Sequence, residues 1–91
     1  MRGIYKFFYD CGREGILEGI FTEESQNVSS IYGKTINFGE VLGKHSDIIC
    51  ELDIGDINLI TNDKNAVEMF ERYQLETGYN PFVYLSDEEY V

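Results

Sequence analysis

Tryptophan is missing from this chain, and proline, histidine and cysteine nearly are: 91 residues hold one Pro, one His and two Cys. Each scarcity excludes something. Cys11 and Cys50 are too few for the disulfide framework of a small secreted domain and lack the paired spacing of a zinc site, so both are expected as free thiols. A single histidine leaves a metal centre short of ligands, so no metal and no cofactor are expected. No apolar run approaches the roughly 20 residues that cross a bilayer and no signal peptide is recognisable, which implies a cytoplasmic chain without a membrane partner. Positive charge is the last scarcity. Residues 1–46 carry six Asp/Glu against five Lys/Arg, a net of −1, whereas residues 47–91 carry eleven against two, a net of −9. After His45 the basic residues are Lys64 and Arg72 alone. Such a field repels nucleic acid and anionic membrane and attracts basic surfaces, so direct nucleic-acid binding is not expected.

What is present is apolar enough to fold. The apolar fraction is 43%, with six Phe and seven Tyr, well above the composition of disordered chains. Residues 3–10 alternate as a strand, with Tyr5, Phe7 and Tyr9 on one face and Ile4, Lys6 and Phe8 on the other. Gly12 and Gly15 lie in the loop that follows, and Ile16 to Phe21 forms the second arm of a hairpin. Thr22 to Ser25 suits a helix start, with Val28, Ile31 and Tyr32 at helical spacing and Gly33 as the stop. Further strands are predicted over Thr35–Leu42, Asp47–Asp53 and Ile57–Thr61. A second helix spans Lys64 to Glu76, carries Val67, Phe70 and Tyr73 on one face, and is stopped by Gly78 and Pro81. The tail beyond Tyr79 either docks as an edge strand or moves freely. The fold class is therefore α+β in the order ββαβββα: an antiparallel sheet of about five strands with two helices on one face, as a single domain 1–91 whose acidic tail at 86–91 is open to either docking or mobility.

Two surfaces compete for a functional role. The turn Gly43-Lys44-His45-Ser46, with Arg13 from the first hairpin loop, collects donors and positive charge that suit a phosphate or carboxylate. It is not a P-loop, because that motif needs a set glycine spacing and a helix behind it. His45 with Cys11 or Cys50 would need an orienting acid such as Asp47 or Glu40 to act as a nucleophilic pair, and nothing in the spacing assembles one. The acids of Asp53-Ile54-Gly55-Asp56 lack the alternation of a calcium loop and fit a turn. The chain is accordingly read as a non-enzyme. Against the basic turn stand Glu68, Glu71 and Glu76 on the polar face of the second helix, followed by Asp87, Glu88 and Glu89 in the tail.

Three strings, Asp10-Cys11-Gly12-Arg13, Phe38-Gly39-Glu40-Val41-Leu42-Gly43-Lys44-His45-Ser46 and Gly78-Tyr79-Asn80-Pro81, together resemble small uncharacterised proteins of tailed bacteriophages. That resemblance implies an infected bacterial cytoplasm and attaches no activity. Two functions are then open. In one, the chain is a phage-encoded inhibitor or decoy whose Glu68, Glu71, Glu76, Asp87, Glu88 and Glu89 dock on the basic surface of a host nucleic-acid-acting or defence protein. In the other, a homodimer binds or sequesters a phosphorylated metabolite or signalling nucleotide at Arg13, Gly43, Lys44, His45 and Ser46.

Overall fold

A computed structural model describes residues 1–43 and 45–85. Lys44 and residues 86–91, and with them the tail acids Asp87, Glu88 and Glu89, lie outside the described residues. The first hairpin is the spine of the molecule. Strand β1 (Arg2–Asp10) pairs along its whole length with β2 (Ile16–Glu24), Tyr5 facing Phe21 and Phe7 facing Gly19. A 3₁₀ turn over Gly12–Glu14 joins them, entered through an Asx-type bond in which the Gly12 N–H donates to Asp10 Oδ1 at 2.8 Å. β5 (Ile57–Thr61) adds antiparallel to β1, and β6 (Thr77–Gly78) adds antiparallel to β2. The sheet order is β5-β1-β2-β6.

The α+β class and the antiparallel sheet are as the alternation predicts; two details differ. The strands expected over 35–42 and 47–53 shrink to β3 (Thr35–Asn37) and β4 (Ile49–Glu51), which pair with each other as a separate two-stranded sheet. Their connection leaves the extended region at Gly39, Leu42 and Gly43, whose φ angles of 74°, 59° and 71° no strand can hold. The helices also take opposite faces. Helix α1 (Ser25–Ile31) sends Val28 and Ile31 into the core with Tyr5, Phe7, Leu17 and Phe21. Helix α2 (Lys64–Arg72) buries Val67 over Ile4 on the reverse face, where Glu71 accepts hydrogen bonds from Arg2 Nε at 2.7 Å and Thr22 Oγ1 at 3.0 Å. Ile4 makes this end of the even face of β1 apolar as well, and α2 covers that end.

Helix α2 ends at Arg72, four residues before the predicted stop at Glu76. The Leu75 N–H donates to the Phe70 carbonyl and the Gln74 N–H to the Glu71 carbonyl, a Schellman closure with Gln74 at φ 52°. Gly78 serves another purpose. It crosses Gly19 so closely that a Cβ on either residue would run into backbone of the other strand. That crossing delivers residues 79–85 to the inner face as a strap with a 3₁₀ turn at Pro81–Tyr84, capped by Asn80. The strap closes the core. Phe82 meets Phe21 edge-on at 5.8 Å, and Tyr84 lies 4.8 Å from Phe38, which in turn stacks on Phe7 at 5.8 Å. The part of the tail that can be described thus packs as a strap and does not add a strand to the sheet edge.

Candidate functional site

The even face of the main sheet is only half covered. Val67 and Phe70 of α2 lie over its Ile4 end, and the helix then terminates. Beyond it Lys6, Phe8, Ile16 and Glu18 remain exposed, and Ile20 is half-buried. A shallow cavity of about 300 Å³ sits here against Lys6, Glu18, Ile20 and Thr77. A second of about 220 Å³ continues toward Thr22, Phe70, Gln74 and Glu76. The helix adds apolar surface of its own. Met69 and Tyr73, which helical spacing pairs at i and i+4, are 56% and 63% exposed. Exposed apolar groups and carboxylates thus occur together on the open sheet and on α2, and aromatic and Met side chains beside charge are the composition of protein contact surfaces.

The three described acids expected to act together are in different situations. Glu68 and Glu76 are exposed and accept no hydrogen bond from another side chain among those described. Glu71 is committed inside the chain. The Arg2 hydrogen bond holds its carboxyl below the ordinary carboxylate range, with Thr22 adding to the effect, and the same pair raises the Arg2 guanidinium. Glu71 therefore fastens α2 to β1 and β2. Glu18 takes its place on the open surface; sequence alternation puts it on the Lys6 and Phe8 face, but only the shortness of α2 leaves that position exposed.

At the opposite end of the chain's charge pattern, Arg13, Gly43, His45 and Ser46 are exposed. Their two loops are neighbours, since a Cβ on Gly15 would touch Leu42. The 39–47 loop is braced from within: Asn37 Oδ1 accepts from the Gly39 N–H at 2.7 Å, and Asn37 Nδ2 donates to Asp47 at 3.2 Å. Asp47 is thus engaged with Asn37. A cavity of about 250 Å³ next to these loops is lined by Asp10 and Glu14 along with Tyr9, Cys11 and Cys50, and its two carboxylates oppose an anionic ligand. Asp53 and Asp56 close their own turn, the Asp53 N–H donating to Asp56 Oδ2 at 2.8 Å. Among the described residues no three His, Cys, Asp or Glu side chains are grouped as metal ligands, and no helix is long and apolar enough to cross a membrane.

One feature escaped sequence reasoning altogether. Cys11, just past the end of β1, and Cys50, in β4, line the same cavity. Burial pushes the Cys50 thiol up to about 12, and the adjacent Cys11 sulfur pushes in the same direction. Burial also raises Cys11, with the neighbouring Cys50 thiol acting against it. No spacing rule relates positions so far apart; the cavity that both line forms where the end of the first hairpin meets the small sheet. Comparison with protein-family models, with curated proteins and with solved structures finds no match to this chain.

Proposed function

We propose that this chain is a non-enzymatic binding protein that docks its even face, the open half of the sheet together with α2, onto a basic protein surface. The observation that carries the reading is the exposure of Phe8 and Ile16 beside Glu18 on the open sheet and of Met69 and Tyr73 near Glu68 and Glu76 on and after α2. The apolar groups supply contact area, and the carboxylates select a basic partner and speed its approach. A groove that ordinarily holds nucleic acid has the matching charge. The acids of residues 87–89 extend the same field in sequence. In the phage setting that the sequence resemblance implies, the partner is a host nucleic-acid-acting or defence protein, and docking occupies its site. The ligand-binding alternative draws less support, because Asp10 and Glu14 line the cavity beside the basic loops.

The test is retention of bacterial lysate proteins on the immobilised chain, with identification by mass spectrometry, at low and high salt. Basic nucleic-acid-acting proteins are expected at low salt, released as ionic strength rises. A Glu18→Lys/Glu68→Lys/Glu76→Lys variant, its fold checked by circular dichroism, should lose them, and a Phe8→Ser/Met69→Ser variant should weaken them. Retention that is indifferent to salt and to both variants overturns the reading. A nucleotide-sized mass bound to the native protein would favour the alternative instead.

A further inference from the structure

We infer that Cys11 and Cys50 form a dithiol modification site, closed to an intramolecular disulfide by a small disulfide oxidant such as oxidised glutathione. Three observations converge. Both thiols are free, one half-exposed and one buried. Both line the same cavity of about 250 Å³, with Tyr9, Glu14, Ile48 and Ile49. And both belong to one packed core, Cys50 within it and Cys11 against its margin. This division of labour between an accessible and a sheltered thiol suits two-step exchange, in which the first attacks the oxidant and the second resolves the product.

The step balances as follows. The Cys11 thiolate attacks one sulfur of oxidised glutathione, the glutathione S–S bond breaks, and one glutathione leaves as thiolate. The Cys50 thiolate then attacks the Cys11 sulfur of the mixed disulfide and expels the second glutathione. Two protein thiols are oxidised, one glutathione disulfide is reduced, and the two protons released by the protein protonate the two leaving thiolates. Asp10 and Glu14 around the cavity repel a thiolate and Cys50 is sheltered from solvent, so closure is slow at neutral pH and depends on proximity.

Closure would tie the end of the first hairpin to the small β3–β4 sheet. The cross-link spans residues 11 to 50, a long loop whose closure in the unfolded chain raises the melting temperature on the order of 10 °C.

The experiment incubates the native protein with oxidised glutathione, blocks free thiols with iodoacetamide under denaturing conditions, and measures intact mass. The expected product has lost two hydrogens, takes up no iodoacetamide, and yields a Cys11–Cys50 cross-linked peptide on digestion. Cys11→Ser should leave Cys50 largely unmodified over the same period, and Cys50→Ser should stop at one glutathione on Cys11. Two separate glutathione adducts on the native protein, or two alkylated cysteines after prolonged oxidation, would overturn the site. The Cys11→Ser variant also serves as the folded control, because Cys11 sits at the margin of the core.

Discussion

Single side chains in this molecule carry assignments that their residue type does not announce. Gln74 occupies the left-handed position that closes α2, at φ 52°, where a side chain costs about 1 kcal/mol that glycine avoids. Gln74→Gly should therefore raise stability by about 1 kcal/mol, read from the midpoint of urea unfolding at unchanged slope. Cys50 provides a titration marker. Its thiol has an ordinary value of 9.0 and is held near 12 in the folded chain, so the stability tied to keeping it neutral is complete below pH 9 and is lost as pH rises through 12. Melting temperature should fall across that window, and fall less steeply in Cys50→Ala. None of this is visible in the sequence, where Gln74 reads as an interior helix residue and Cys50 as one more apolar position in a strand. Left-handed backbone and a cavity shared by distant thiols follow from tertiary closure, and no local period encodes closure.

Elements were more legible where one face is apolar and the other is not. The Tyr5, Phe7, Tyr9 alternation and the glycine-bearing loop after it determine the first hairpin, and Val28 with Ile31 determines α1. Legibility failed where apolar residues occupy both faces, as with Ile4 and Phe8 opposite Tyr5 and Phe7; a two-faced strand does not say which helix covers which side. It failed again in Phe38–Leu42, where the apolar spacing of a strand is overruled by backbone angles at Gly39 and Leu42. The joint between α2 and the sheet can be tested directly. Glu71→Gln should cost about 0.5 kcal/mol, a small effect because both partners are about 40% exposed and screened. That contribution belongs to a carboxyl held below its ordinary 4.5; it is present above that pH and is lost as pH falls through the lowered folded value, so the variant and the parent should converge in acid. The β2–β6 crossing is far less forgiving. Gly19→Ala places a methyl against the Tyr79 backbone and should cost about 3 kcal/mol, seen as a lower unfolding midpoint and weakened protection of residues 79–85.

The whole molecule separates its charge from its core. The inner face is closed by α1, the small sheet and the strap, while the even face stays half open and acidic, which turns a compositional imbalance into a candidate docking surface. The candidate site was legible as acids on α2 only in part: Glu68 and Glu76 are exposed, Glu71 is bonded to Arg2 and Thr22, and the exposure of Glu18 on the open sheet depends on where α2 ends, which no local pattern encodes. Association with a basic partner should accordingly show a salt dependence set by Glu18, Glu68 and Glu76, read as a change in on-rate more than in off-rate. The strap has a kinetic consequence. The first hairpin closes by contacts near in sequence, but Phe82 reaches Phe21 and Tyr84 reaches Phe38 only after nearly the whole chain is in place, and contacts of such separation form late. The strap is thus the last part to fold and the first to open, so its amides should exchange with solvent ahead of global unfolding while the β1–β2 ladder stays protected. Core aromatic surface in this protein is guarded by one short segment that begins at the close crossing of Gly19 and Gly78.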